Sequence, residues 1–474
     1  MGDRCARDLV PVLILDRMPG FETRTADWIS FEEALKRIDR TLSPLPPRDV
    51  PIEDAAGLAI SREVRSALTL PPGPTSHMDG YAVMAADLTA GGHASLRVVG
   101  TSRPGAPGEH VVSRGEAMRI MTGALLPEGA DTVVPVEDTD REESGREASG
   151  GEDEPTRTRV AIHPRPGRTV TPGSHVRAPG EEMRTGDVLA CSGDALGPGR
   201  LALLAATGMP TLPVHPAPRV ALIVTGDELV APGAPDALQG GVLRVDILSP
   251  TLPLLLRGAG ARVLPPRRVG DDQDALRSAL LEAARHADLV VTTGGASMGE
   301  ADIVKGALDD VGWIPNFWRI RMRPGSPVSF GRIPRGAGGP EGSAAVLSLP
   351  GNPVSAMVTT LALALPAIRT LGGHRRRFLR SLSAVALEPL QGPDHLTRFF
   401  RVHLESLEAG RWGARLAGHQ GSGAMRSVAV ADGLAVIPEG RASIGDGTPV
   451  EVLLLPDAGW AEDSGAGQRR EDGR

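Results

Sequence analysis

Aromatic residues make up only 3% of this 474-residue chain, and Tyr81 is its single tyrosine. Its cores must therefore be filled by Val, Leu, Ile and Ala. Cysteine is nearly absent: Cys5 and Cys191 supply neither a disulfide framework nor a zinc knuckle, and both read as unpaired thiols. Lysine is confined to Lys36 and Lys305, which leaves basic chemistry to arginine. A net charge of −7 excludes general nucleic-acid binding, which needs a basic surface, while still permitting a local basic pocket. The opening stretch MGDRCARDLVPVLILDRMPG holds an apolar run too short to span a bilayer, and Asp3 and Asp8 stand where a secretory signal would be basic. No run elsewhere reads as long enough to span. The chain is expected to be cytoplasmic, with no membrane and no nucleic acid among its partners.

What is present is ample apolar material, 41% of residues, in a chain too long for one core. After an N-terminal tail (1–26), residues 27–70 open with Trp28, Ile29, Phe31, Ala34, Leu35 and Ile38 at helical spacing, with Asp27 or Ser30 as the cap. Segments 27–70 and 160–215 are read together as an N-terminal linker or dimerisation domain of mixed α+β character. Between them, 71–159 carries short β-like runs, with a flexible polar loop at 139–159. From Arg219 onward strands alternate with helices, which predicts a doubly wound parallel α/β domain over 216–375. Its helix SPTLPLLLRGAG must hold Pro253 in its first turn or kink there. Residues 376–457 are strand-rich, a small C-terminal β domain, and 458–474 form a disordered tail. The fold class is thus multidomain α/β plus β.

In doubly wound sheets ligands bind outside the carboxyl ends of the strands. TGDE (225–228), GDD (270–272), TTGGASMGEAD (292–302) and SLPGNPVS (348–355) each follow an expected strand and should converge on one rim. Gly294 and Gly295 let backbone approach a ligand, and Ser297 with nearby amides suits an anion. Glu300 and Asp302 would repel phosphate unless Mg²⁺ bridges them. From spacing alone, that metal reading and a simple helix-cap reading stand side by side. Glu228 invites the same metal role, with Asp227 beside it. Asp271 and Asp272 are weaker, because an Asp before a helix is usually a cap. Pro350, Gly351 and Asn352 form a rigid turn that presents amides to an oxyanion.

WRIRMRPGSP (318–327) alternates Arg319, Arg321 and Arg323, which as one strand would share a face. Such a row suits the oxygens of phosphate or another oxyanion, or is a solvated edge. In the C-terminal domain, His419 of the GHQGSG turn (418–423) reads as structural. Asp79 in TSHMDGYA (75–82) and Thr122 in RIMTGALLPEGAD (119–131) lie outside the parallel sheet and read as ordinary turns unless they act across an interface.

Together and in this order, SHMDGYA, RIMTGALLPEGAD, TGDEL, TTGGASMGEAD, SLPGNPVSA and GHQGSG resemble the MoeA family of molybdopterin molybdenumtransferases, which includes a domain of gephyrin. The resemblance covers residues 27–457. It implies an elongated four-part protomer and a homodimer, whose cleft joins the α/β domain of one subunit to the TSHMDGYA domain of the other. It further implies Mg²⁺-dependent cleavage of adenylylated molybdopterin, release of AMP, and transfer of molybdenum from molybdate. The molybdopterin adenylyltransferase and downstream molybdoenzymes are the implied further partners. Matched positions make Asp79, Thr122, Glu228 and Asp302 catalytic and place metal on Glu228, Asp271 and Asp302. Arg177, Arg401 and Ser422 match cleft positions and, with Gly294, Gly295, Ser297, Arg319, Arg323, Ser326, Pro350, Gly351 and Asn352, make up the expected substrate-binding set. Departures stand at Arg319 and Arg323, where the family has lysines, and at Ser326, where a PGKP-type motif reads PGSP. Leu248 replaces the Asn of an Asp-x-Asn turn, and Glu181-Glu182 replaces a GED-type ending. Two further readings follow from these: a tungstate-preferring transferase, or an altered paralogue serving as a molybdopterin-binding or scaffold dimer.

Overall fold

The computed structural model describes residues 28–140, 159–165, 169–233, 243–294, 303–335 and 342–456. The expectations for the N-terminal tail, the polar loop at 141–158, the C-terminal tail, and Gly295, Ser297, Glu300 and Asp302 lie outside the described residues. The chain forms two compact units: Glu63–Ala190 with Leu203–Gly208, and Met1–Arg62 with Cys191–Ala202 and Met209–Arg474.

In the larger unit, the β-branched run Arg219–Thr225 is the centre of a sheet. It pairs in parallel with Arg262–Val263, Arg267–Val269 and Leu289–Thr293, and Leu289–Thr293 pairs in parallel with Ser343–Leu349. Pro265 and Pro266 separate the two short strands Arg262–Val263 and Arg267–Val269. The sheet is not wholly parallel, because Ser329–Pro334 and Ile314–Trp318 add an antiparallel edge. Even side-chain positions along Arg219–Thr225 meet one core and odd positions another, as expected for a strand covered on both faces. Helix Gln273–His286 covers one face, with Asp272 capping it by accepting from Ala275 N at 2.6 Å. Helix Leu248–Gly258 covers the other and carries Pro253 in its interior.

Helix Pro353–Leu371, 19 residues long, has an 18-residue window of mean hydropathy 1.6, so among the described residues one run does reach spanning length by composition. Its window is 89% buried, and it includes a π-helical turn at Thr360–Ala364. It is a core helix of this unit. Against it and Phe399 packs helix Phe31–Thr41, which Ser30 caps by accepting from Glu33 N at 3.1 Å. Phe31, Ala34 and Ile38 need burial and find it in the α/β core.

The C-terminal strands close on themselves. Thr397–Ser406 pairs with Trp412–Leu416, then Ser381–Ala386, Pro449–Leu454 and Gly433–Ile437 follow, and the last pairs back to Thr397–Ser406. A ring of five strands leaves no free edge, and a lining of small residues such as Ala384, Ala386, Ala414 and Ala435 fills so narrow an interior. Ile320–Arg323 joins this sheet beside Thr397–Ser406, while its chain neighbour Ile314–Trp318 stays in the α/β sheet. Arg319, at φ +68, is the joint between them.

The smaller unit centres on a five-stranded sheet in the order Arg159–Ile162, Ala94–Ser102, Glu116–Ile120, Gly80–Val83 and Thr132–Pro135. Tyr81 is buried in its core, with the Arg119 guanidinium 5.4 Å from the ring centroid.

Candidate functional site

The rim at the carboxyl ends of the parallel strands draws together three glycine turns. Gly294 has φ +90, and a Cβ there would lie 2.4 Å from the Thr225 carbonyl oxygen and 2.6 Å from Thr225 Oγ1. A Cβ on Gly351 would lie 3.0 Å from Gly294 Cα. The backbone at Gly294 is therefore pressed against both Thr225 and Gly351, an approach that only glycine permits. Thr225 Oγ1 donates to the Thr293 carbonyl at 3.2 Å, tying the first two turns.

Carboxylates line the same rim. Asp227 and Asp271 are locked reciprocally: Asp271 N donates to Asp227 Oδ1 at 3.0 Å, and Asp227 N donates to Asp271 Oδ2 at 3.3 Å. Glu228 folds back over Gly226, its Oε2 standing where a Cβ would come within 2.6 Å. All three acids are exposed. Among the described residues no cluster of three His, Cys, Asp or Glu side chains is arranged to cage a metal. The hard oxygen donors present fit a Mg²⁺ ion that takes one or two carboxylates and keeps the rest of its shell for water and phosphate.

The GHQGSG turn of the closed barrel reaches this rim. Val354 N donates to the Ser422 carbonyl at 3.3 Å, and Asn352 Nδ2 donates to Ser422 Oγ at 3.4 Å. Pro350 is buried, while Gly351 and Asn352 are exposed. Beneath the turn, Arg401 is 1% exposed. Its guanidinium donates to Ser427 Oγ and to the carbonyls of His419 and Gly421, at 3.1, 3.3 and 3.1 Å. Burial pulls it down to about 10. Arg401, expected at the substrate, is placed beneath the Ser422 turn, which it holds through these bonds. His419 is structural, its Nδ1 accepting from Gly421 N at 3.2 Å.

The arginine row is also corrected. The positive φ at Arg319 breaks the strand, so Arg319 leaves the shared face and lies 5.9 Å from the Trp28 ring, with its Nε buried and without a hydrogen-bond partner. Arg321 pairs with Glu439 at 2.8 Å, and Arg323 is exposed. Ser326 spends its hydroxyl on the Met322 carbonyl at 2.6 Å.

Sequence reasoning missed two features. Asp246, 4% exposed, accepts from Leu248 N, Ser249 N and Ser249 Oγ at 3.1, 2.9 and 2.5 Å, and so organises the start of helix Leu248–Gly258. Its signal was present as an Asp two residues ahead of a helix. Leu248 itself is buried in the core. Asp246→Ala should destabilise the protein by about 2 kcal/mol, read as a lower melting temperature, because three donors lose their acceptor. The second feature is a row of hydroxyls, Ser329, Ser348 and Thr292, paired laterally near the strand ends, fully buried and without hydrogen-bond partners. No one strand shows such a row, since it forms only by register.

The smaller unit holds a second constellation. Asp79 accepts from Thr122 N at 2.7 Å and Thr122 Oγ1 at 2.8 Å, which brings the MDG and MTG turns together. Those two bonds, the backbone one foremost, hold its carboxyl below the usual carboxylate range. A lowered value means its stabilisation is present above the ordinary range and fades as pH falls through the folded value. Asp79→Asn should therefore lower the melting temperature slightly at neutral pH and match the parent in strong acid. Arg177 pairs with Glu181 at 3.2 Å and Glu182 at 3.6 Å, and His77 Nε2 stands 3.7 Å from Glu181.

Three family profiles match the chain in succession: the MoeA N-terminal region (domain I and II) over 29–208, a probable molybdopterin binding domain over 221–370, and the MoeA C-terminal region (domain IV) over 383–455. Molybdopterin molybdenumtransferase 2 of Mycobacterium tuberculosis is 34% identical over 437 residues, 90% of this chain and 99% of that protein. Molybdopterin molybdenumtransferase of Haemophilus influenzae is 31% identical over 418 residues, 88% of this chain and 96% of the relative. The solved structure of a molybdopterin biosynthesis MoeA protein from Pyrococcus horikoshii superposes with TM-score 0.66 at 28% identity, covering 90% of this chain and 99% of its own. With such identity along nearly its whole length, the chain belongs to the MoeA family of molybdopterin molybdenumtransferases, transferases of molybdenum cofactor biosynthesis.

Proposed function

We propose that this protein is a cytoplasmic, homodimeric transferase that takes adenylylated molybdopterin and molybdate, releases AMP and leaves molybdenum on the dithiolene. The observation that carries the reading is the rim itself. Glycine backbones pack so closely at Thr225, Gly294 and Gly351 that amides and carboxylates share one exposed edge. Gly351 and Asn352 present backbone to an oxyanion, and Asn352 is oriented by Ser422. Glu228 and Asp271 are the described residues that would hold Mg²⁺, with Asp302 as a further ligand implied by the motif. When bound, that ion neutralises charge on the phosphoanhydride. The reciprocal bonds between Asp227 and Asp271 hold both carboxylates in place before substrate arrives, so little ordering entropy remains to be lost on binding. Asp79, kept ionised by Thr122, is assigned a catalytic role on the same motif grounds.

The test is AMP release by the purified protein given adenylylated molybdopterin and Mg²⁺, with molybdate, with tungstate, and with neither. Molybdate-stimulated AMP supports the reading. Stimulation by tungstate alone would reassign the oxyanion, to which Ser326 in place of a lysine lends support. Binding of molybdopterin without AMP release under any condition would make the protein a binding dimer. Light scattering that returned a monomer would remove the dimer.

A further inference from the structure

The outer edge of the five-stranded sheet carries two imidazoles that the rim chemistry does not use. Arg159–Ile162 is the edge strand, antiparallel to Ala94–Ser102, with Ile162 opposite Ala94. His163 and His93 are the next residues outward on these two strands, so the ladder itself sets them face to face.

Their surroundings fix this placement. Thr89–His93 is a tight turn, in which Thr89 N donates to the His93 carbonyl at 3.0 Å and His93 N donates to Thr89 Oγ1 at 3.1 Å. Gly92, at φ +79, lets the turn lie against Pro164, because a Cβ there would come within 2.6 Å of Pro164 Cγ. On the opposite strand, His163 N donates to the Asp138 carbonyl at 2.7 Å. The two Nδ1 atoms stand 3.4 Å apart, with the ring planes inclined at 58° and both side chains exposed.

That separation is the bite of a metal chelate. Two nitrogens on one tetrahedral Zn²⁺, each bonded at about 2.0–2.1 Å, lie roughly 3.3 Å apart. We propose that His93 and His163 form a surface site for a borderline divalent transition metal, with Zn²⁺ as the physiological occupant, bound through the two Nδ1 atoms. Among the described residues no third His, Cys, Asp or Glu completes a cluster, so water fills the remaining positions. Imidazole suits Zn²⁺, Ni²⁺ and Cu²⁺, whereas Mg²⁺ demands oxygen donors, so this clip and the carboxylate rim select different ions. A bound ion would tie the edge strand to its neighbour where the ladder ends.

The test uses the full chain stripped of metal by chelator. Zn²⁺ is titrated by calorimetry into the parent, His93→Ala and His163→Ala, and Cu²⁺ is added to each for electron paramagnetic resonance. The expected result is one Zn²⁺ site whose affinity falls by at least about tenfold in either variant. The parent's Cu²⁺ spectrum should carry the hyperfine lines of two nitrogens, and each variant's fewer. Unchanged Zn²⁺ stoichiometry and affinity in both variants would overturn the proposal and leave a histidine pair hydrogen-bonded only to itself. Should an alanine variant fail to fold by circular dichroism, His93→Asn and His163→Asn carry the same comparison.

Discussion

Gly294→Ala is expected to destabilise the protein by roughly 3 kcal/mol and to lower molybdate-stimulated AMP release severely, measured by thermal melting and by the AMP assay. The cost has two parts. Alanine at φ +90 is strained, and its Cβ would sit 2.4 Å from the Thr225 carbonyl, a backbone atom that cannot swing aside. The strand end or the turn must move, and either shift separates Gly294 from Gly351. Gly226→Ala provides the contrast. Alanine at φ +145 is strained there too, but its Cβ would meet only the far end of Glu228, at 2.6 Å from Oε2, which can rotate away. That variant should lose less stability while displacing the carboxylate. Equal melting temperatures for Gly294→Ala and the parent would mean that the three turns are not packed as described.

Glu228→Gln is the second. It keeps the shape that folds over Gly226 and removes only charge, so the melting temperature should stay near the parent's. AMP release should fall about 100-fold, within the range seen when one charge-stabilising group is removed from a polar site. The Mg²⁺ concentration giving half-maximal rate should rise. An unchanged rate and Mg²⁺ dependence would take Glu228 out of the site without touching the transferase reading, which rests on the parent's own AMP release.

Much of the α/β unit was legible before any coordinates. The helix Gln273–His286 and its Asp272 cap follow from an apolar face at helical spacing behind a side chain that can accept from the first turn. The motifs after each parallel strand were assignable to one rim because strand direction alone puts them there. Local spacing was less able to say which side chains remain available once folded. Arg319, Arg321 and Arg323 alternate like one strand, yet a left-handed residue between two sheets sends Arg319 toward Trp28. Arg401 lies in a motif-rich domain, yet the closed barrel buries it beneath the turn it supports.

By itself the amino-acid order determined the alternation of strands and helices, the glycines that only tight turns need, and the family. Those properties depend on neighbours a few residues apart, where propensity and periodicity act. Tertiary structure alone decided that Asp227 locks Asp271, that Asp79 meets Thr122, that five short strands close into a ring, and that His93 faces His163. Each of these joins residues distant in the chain, and their contact depends on how the packed core sets register and direction, which no local pattern encodes.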